Sequence, residues 1–235
     1  MTVSKPLISI VLPCLNEEHT LKMCLDEIHA VCKAHDLNYE IVVADNNSTD
    51  KSPSIAQENG ARVAKVVDRG YGCAVNGGIL AAKGDIAIMA DCDFSYPFGS
   101  IPDLIAPILA DDADIVLGNR LKLPMEKGAM PTLNRFVGTP MLSALIRWLY
   151  NIPVYDCNGG MRAIRTSIYP TLKLKQPGME YASEMLLRAG ITQIRYKEVP
   201  IPFRKHAKGH VPYLNPIRDG LRHLKTILAG KFHAS

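Results

Sequence analysis

The sequence has no pair of cysteines at metal-binding or redox spacing. Its six cysteines, at 14, 24, 32, 73, 92 and 157, are scattered, and several sit in apolar segments. This argues against a zinc ribbon or a dithiol motif and favours free thiols in a reducing compartment. No uninterrupted apolar run reaches the ~18 residues of a membrane-spanning helix. The start, MTVSKPLISIVLPCLNEE, meets acids too soon after a short apolar run to read as a signal peptide. Repeats, low-complexity tracts and a dividing linker are absent. Aromatics are only 6% and are not interleaved with basic residues, which disfavours a nucleic-acid partner. What remains is one domain of 235 residues, 47% hydrophobic and 21% charged, long enough to bury a substantial core. A cytoplasmic protein is expected, soluble or peripheral on the cytoplasmic face of the membrane.

Charge is unevenly spread. The net charge is +4, but Phe203 to Ser235 holds seven Lys or Arg against one acid, Asp219, leaving residues 1–202 at −2. A basic end on a slightly acidic body suits an anionic partner such as phosphate or a lipid head group; the simpler alternative is a solvated helix face.

Five nearly continuous apolar runs read as buried strands: LISIVLP (7–13), YEIVVAD (39–45), ARVAKVV (61–67), DIAIMAD (85–91) and ADIVLGN (113–119). Between the first two, Leu21, Cys24, Leu25, Ile28, Val31 and Cys32 follow a helical spacing. Alternation of this kind predicts an α/β fold with a mainly parallel sheet flanked by helices. The segment 138–154, with the sole tryptophan, Trp148, reads as an apolar core helix in preference to a membrane-surface one. The segment 120–135, with Pro124, Gly128 and Pro131, reads as a loop and a candidate mobile lid.

In such sheets ligands bind beyond the carboxyl ends of the strands. Here those ends run into PCLNEE, DNNSTD, DCDFS and GNR, so four polar turns converge on one cleft. Asp45 ends a strand, and a carboxylate there can accept hydrogen bonds from a base or a ribose hydroxyl. Ser48, Thr49 and Asp50 after it suit helix capping. The stretch DRGYGCAVNGG is not a dinucleotide fingerprint, yet Gly70 and Gly72 would let the backbone approach a ligand ahead of a helix N-terminus; a tight turn is the plainer reading. Asp91 and Asp93, one residue apart, can either cap a turn or hold a hard cation such as Mg²⁺ or Mn²⁺. Their place among the other polar turns favours the cation, which would neutralise a leaving diphosphate.

The segments ISIVLPCLNEE, EIVVADNNSTD, GYG, DCDFSYPF and GNR resemble the family 2 glycosyltransferases of the GT-A fold. Downstream, DCNGGMRA (156–163), GMEYASEMLLRA (178–189) and EVPIPFRKHAKG (198–209) are most similar to the dolichyl- or polyprenyl-phosphate sugar synthases. The resemblance covers nearly the whole chain in order. It implies a single GT-A domain, with 1–120 as the nucleotide-sugar half, 121–202 as the acceptor half and 203–235 as a basic segment. It places Pro13, Leu15, Asn16, Glu17, Asp45, Asn47, Arg69, Gly70, Asp91, Cys92, Asp93, Arg204 and Lys205 on a UDP- or GDP-linked sugar. Asp91 and Asp93 would hold the metal. Arg135, Arg162 and Lys208 fall to the acceptor, and Asp93, Arg120, Glu184 and Asp156 to catalysis. The implied reaction moves a hexose, with inversion, to a polyprenyl phosphate at the membrane surface; a homodimer is left open.

A hydroxyl acceptor would need a carboxylate base, for which Glu184 or Asp156 is the candidate. A helical Glu184–Arg188 salt bridge is the plain alternative for the first. A phosphate acceptor needs cations instead, and Arg120, Arg135, Arg162 and the 204–208 cluster offer them. His206 and His210, in the same basic loop, suit phosphate contact or exposure better than a metal. Synthases of this group often continue into C-terminal membrane helices, whereas the sequence given runs to Ser235. Either an anchor has been removed or none is needed. The runner-up reading is a glycosyltransferase acting on a soluble hydroxyl acceptor. A sugar nucleotidyltransferase is disfavoured because no glycine-rich loop follows the first strand. A non-catalytic binding module is disfavoured by the intact acid pair.

Overall fold

The computed structural model describes residues 5–207 and 216–232. β1 (Leu7–Cys14), β2 (Asn38–Asp45), β3 (Arg62–Lys65), β4 (Ile86–Met89) and β5 (Ile115–Asn119) fall on the five apolar runs. Two further strands complete the sheet. β6 (Arg162–Arg165) is inserted antiparallel between β4 and β5, and β7 (Tyr196–Pro200) lies parallel to β5 at one edge. The strand order is β3-β2-β1-β4-β6-β5-β7. Neither β6 nor β7 was predicted as a strand. β6, RAIR, is bounded by arginines, and β7, YKEVP, is a polar edge strand, so no continuous apolar run reveals either.

Both faces of the sheet are covered. Ile8, Ile10 and Leu12 point from β1 toward α1 (Leu21–Ala34), α2 (Ser52–Glu58) and α4 (Ile101–Leu109). Val11 points the other way, into a second core with α3 (Tyr71–Ala81), α5 (Thr139–Tyr150), α6 (Tyr181–Ile191) and α7 (Pro216–Phe232). The two-residue alternation of a strand sends side chains into both cores, which is why β1 reads as apolar throughout. α1 buries Leu21, Cys24, Leu25, Ile28 and Cys32, one face of a 3.6-residue helix.

α5 differs from its expectation. Leu142, Ile146 and Tyr150 are buried, but Trp148 is 79% exposed and is not part of the core. Among the described residues no helix is long and apolar enough to cross a membrane.

The parallel strands all deliver their carboxyl ends to one rim. Because β6 runs the opposite way, its start is at that rim too, and it carries the 156–161 loop there. Strands from the 1–120 and 121–202 segments thus share one sheet.

Candidate active site

The turns after β1 and β2 are stitched to each other. Asn16 Oδ1 accepts the Thr49 amide at 2.8 Å, and the Asn16 amide donates to Ser48 Oγ at 3.0 Å. The Glu17 amide donates to Ser52 Oγ at 2.8 Å, and the Glu18 amide to Asp50 at 3.0 Å. Burial works against ionisation of Asp50, but the Ser52 hydroxyl and amide and the Glu18 amide outweigh it and hold the carboxyl below its usual range. Asn16 and Asn47 both take positive φ, +55° and +69°, which asparagine tolerates better than most residues. Asp45, at the end of β2, is buried with one carboxylate oxygen on the Ser48 amide at 3.1 Å. Pro13 and Leu15 are half-buried beside this stitch, and the Glu17 carboxylate accepts the Thr20 hydroxyl at 3.0 Å.

Asn46 had no assigned role in the sequence, yet it shapes the next turn. Its amide nitrogen donates to Val66 and Asp68 carbonyls at 3.1 and 2.7 Å, while its oxygen accepts the Gly70 amide at 2.8 Å. Asn47 joins in, donating to the Val66 and Val67 carbonyls. Both asparagines therefore spend their side chains on the 66–70 loop. Arg69 is exposed at its tip.

The expectation that Gly70 and Gly72 make room for a ligand is corrected. A Cβ on Gly70, at φ +137°, would lie 2.2 Å from the Pro177 carbonyl, and one on Gly72 2.2 Å from the Gln176 carbonyl. What approaches closely is the 175–178 loop. The Gly72 and Cys73 amides, at the start of α3, both donate to Pro177 oxygen, at 2.9 and 3.4 Å. That loop is held in turn by Glu184, whose Oε2 accepts the Lys175 and Gln176 amides at 2.9 and 2.8 Å. Glu184 thus pairs with backbone, not with Arg188, and the carboxylate proposed as a base is already engaged.

After β4 the chain turns through Asp91, Cys92 and Asp93. Cys92 drops into the core with its thiol on the Pro13 carbonyl at 3.0 Å, so its side chain does not face the rim. The acids on either side are half-buried. Asp91 Oδ1 accepts the Tyr71 hydroxyl at 3.0 Å, and Asp93 Oδ1 accepts the Ser95 amide at 2.9 Å. Burial, and then the Asp91 charge, push the Tyr71 pKa well above its ordinary value, so Tyr71 stays a donor. Two carboxylates on one turn are the hard oxygen donors Mg²⁺ and Mn²⁺ prefer. Among the described residues no group of three or more His, Cys, Asp or Glu could hold a metal. Asp91 and Asp93 are thus the residues that would hold such a cation.

The loop beyond the acids is braced by Arg204. Its Nε donates to the Phe94 carbonyl at 2.6 Å, its Nη2 reaches Glu27 at 2.5 Å, and its guanidinium lies 3.5 Å over the Phe94 ring. Phe94 sits at φ +67°, a strained conformation for a bulky residue, on the order of 1–3 kcal/mol. Arg204, expected on the nucleotide sugar, here spends its side chain clamping the loop beyond the acids. The backbone does the same: the Arg204 amide bonds Ser95 oxygen at 3.1 Å and the Ala207 amide bonds Asp93 oxygen at 3.0 Å. Lys205 is exposed, its amide on Glu126 at 2.8 Å, and the Glu126 amide bonds Phe203 oxygen. These two bonds anchor the 120–135 loop next to the acid turn.

Arg120, after β5, is the cation the rim keeps. Asp156 grips it at three points, from Nε at 2.8 Å, Nη2 at 2.7 Å and the Arg120 amide at 2.9 Å. Burial opposes its charge, but Asp156, Tyr96 and Asp91 more than compensate and hold its pKa above the ordinary arginine value. The guanidinium lies 5.0 Å over Phe203, whose ring meets Tyr96 edge-on at 5.1 Å. Tyr96 Oη accepts the Gly160 amide at 2.7 Å. Asp156, fully buried, is therefore an ion-pair partner and not a free base. Behind it, Glu198 accepts the Tyr155 and Asp156 amides, the Tyr196 hydroxyl and, at 2.6 Å, the Asn119 side chain.

Arg162 is corrected as well. It is buried, and its three nitrogens donate to the carbonyls of Gly159, Ala182 and Cys157 at 2.8, 2.7 and 2.9 Å. The guanidinium staples β6 to α6 and the 156–161 loop and offers nothing to an acceptor. Arg135 lies on a π-helical turn (Asn134–Gly138), 5.1 Å over Phe136. Lys208 and His210 lie outside the described residues. Tyr71, Tyr96, Phe203 and Asn46 carry no expected role, although all four stand inside the quoted segments GYG, DCDFSYPF, EVPIPFRKHAKG and EIVVADNNSTD.

A mainly parallel sheet with an Asp-x-Asp turn and a buried arginine on its carboxyl rim defines a glycosyltransferase of the GT-A fold, a user of nucleotide sugars. The model of glycosyl transferase family 2 matches residues 9–172, and the chain belongs to that family. It is 36% identical to the low-salt glycan biosynthesis hexosyltransferase Agl6 of Haloferax volcanii, over 95% of this chain and 53% of that protein, so it spans about half of that relative. It is 32% identical to a dolichyl-phosphate hexose transferase of the same organism, over 85% of this chain and 84% of that one. Among solved structures it resembles glucosyl-3-phosphoglycerate synthase from Mycobacterium tuberculosis in complex with Mn²⁺, UDP and glucosyl-3-phosphoglycerate. That likeness has a TM-score of 0.74 and 25% identity, covering 97% of this chain and 80% of that one.

Proposed function

We propose that the protein transfers a hexose from a nucleotide diphosphate sugar, UDP- or GDP-linked, to a polyprenyl phosphate, with inversion at the anomeric carbon. One observation carries the acceptor class. The two acids that could deprotonate a hydroxyl, Glu184 and Asp156, are both committed, to backbone amides and to Arg120. A phosphate monoester arrives ionised and needs no base. The name of the similar dolichyl-phosphate hexose transferase supports the same class.

In this reading an acceptor phosphate oxygen attacks the anomeric carbon as the bond from that carbon to the donor diphosphate breaks. The nucleoside diphosphate leaves with the electron pair. Asp45 and the stitched turns after β1 and β2 seat the base and ribose. Arg120, fixed by Asp156, offsets the negative charge where two anions must meet. The residues that would hold a divalent cation are Asp91 and Asp93; when bound, Mg²⁺ or Mn²⁺ neutralises the leaving diphosphate. Tyr71 and Arg204 keep the turn that carries those acids in one conformation. We place the reaction at the cytoplasmic face of a membrane.

The runner-up, a soluble hydroxyl acceptor, is favoured by the glucosyl-3-phosphoglycerate in the similar solved complex. Incubation with UDP- or GDP-hexose and Mn²⁺, offering either a polyprenyl phosphate or the matching polyprenol and soluble glycans, separates the two. Product from the phosphate alone is expected. Product from the hydroxyl acceptors alone would overturn the proposal.

A further inference from the structure

α5 is apolar on two sides. The inner side fills the core, yet the outer side is apolar as well. Leu133, Phe136, Val137, Met141 and Trp148 are between 50 and 79% exposed. Val137, Met141, Ala144 and Trp148 follow at steps of four, three and four, which is one helical face. A surface helix of a globular protein normally puts polar residues there. Contiguous exposed apolar faces mark an interaction site.

The charge around this face identifies the partner. Residues 127–155 contain no Asp or Glu, while Lys127, Arg135 and Arg147 lie within them. Arg135 stacks over Phe136 of the face itself, and Arg147 is held by the Val154 carbonyl at 2.6 Å and the Tyr155 ring. α7 packs beside α5 through the Tyr150 hydroxyl on the Ile227 carbonyl. On α7 itself Leu221 and Leu228 are exposed, while Arg218 and Arg222 pair with the buried carboxylates of Asp219 and Glu180. An apolar strip whose own segment, 127–155, holds cations and no acid complements an anionic lipid bilayer, where the strip enters the head-group boundary and the cations meet lipid phosphates. A second copy of the chain fits worse, because a two-fold contact would set the cations of one face against those of the other.

We propose that the outer face of residues 133–148 docks the protein on an anionic lipid bilayer. The chain reaches this face directly from Arg120 through the loop that Glu126 anchors beside the acid turn, so docking would set the rim near the head groups. That last placement rests on the polyprenyl-phosphate reading; the docking itself rests on the face.

Trp148 is the only tryptophan, so its emission reports the face without a label. The protein is mixed with vesicles of phosphatidylcholine and phosphatidylglycerol, with phosphatidylcholine alone, and with brominated lipid. A blue shift on the anionic vesicles, quenched by the brominated chains and weakened by high salt, is expected. Val137→Glu and Met141→Glu should each weaken vesicle partition roughly tenfold while leaving the melting temperature and transfer to a short, water-soluble isoprenyl phosphate unchanged. Emission unmoved by vesicles would overturn the proposal. So would a blue shift that depends on protein concentration without lipid, which would mean self-association, or variants that bind as the parent does. Failure to dock with transfer to the short acceptor intact sinks the docking alone. Docking without transfer to any phosphate acceptor sinks the functional reading alone.

Discussion

Arg162 shows how a basic residue in a promising motif can be fully spent. Its three nitrogens serve three buried carbonyls, so Arg162→Met should strand those carbonyls and cost roughly 3 kcal/mol or more in urea unfolding. Arg162→Lys should recover little, because a point charge cannot copy a planar fork. Asp156 offers the complementary case. Asp156→Asn leaves Arg120 buried with its countercharge removed, and a loss of about 3–5 kcal/mol is expected by thermal melting, along with most activity. Tyr71→Phe is a finer probe. It removes one hydroxyl from Asp91, so stability should fall by only about 1 kcal/mol while apparent Mn²⁺ affinity weakens roughly tenfold. Equal metal affinity in the variant would show that Tyr71 does not position the acid. The sequence reveals residue type and spacing, and these place Asp91, Asp93, Asp45 and Arg120 at or just past strand ends on one rim. It does not reveal partners, so Glu184, Asp156, Arg162 and Gly70 were read as free for ligands when each already serves a loop or an ion pair.

At the scale of elements, the site depends on how well its loops are backed. α6 and α7 meet through Ser183 Oγ and His223 Nδ1 at 2.7 Å, both buried. Burial lowers the His223 pKa from 6.5 to about 4, against the opposing pull of the Glu180 and Asp219 carboxylates and with the Arg162 charge adding to the fall. The folded-state pKa is below the unfolded one, so folding favours the neutral ring. This contribution is complete above about pH 6.5 and is lost as pH falls toward 4, amounting to about 3 kcal/mol. Urea unfolding between pH 7.5 and 4.5 should show that loss, and His223→Gln should flatten it. An unchanged slope in the variant would assign the acid sensitivity elsewhere. Elements were legible to different degrees. β1, β2, β4 and β5, buried over most of their length, and the half-buried edge strand β3 fall on apolar runs. β6 and β7 do not, since RAIR is bounded by arginines and YKEVP interleaves polar residues, so neither forms an apolar run. α5 misled for a physical reason: apolar residues all round look like core, whatever actually covers the outer side.

For the whole molecule, the antiparallel insertion of β6 is the decisive event. It brings the 156–161 loop to the same rim as the ends of β1, β2, β4 and β5, and so lets Asp156 hold Arg120 near Asp91. The C-terminal segment then closes the arrangement by running beside the acid turn at 204–207. In the proposed reading this rim offers its acids to a cation and its fixed arginine to phosphate. The most direct test titrates Mn²⁺ in the presence of UDP or GDP and follows the free ion by electron paramagnetic resonance. One nucleotide-dependent ion per chain is expected for the native protein, with binding lost in Asp91→Asn and Asp93→Asn at unchanged melting temperature. Manganese held equally well by the double variant, or not held at all by the native chain with either nucleotide, would contradict the assignment.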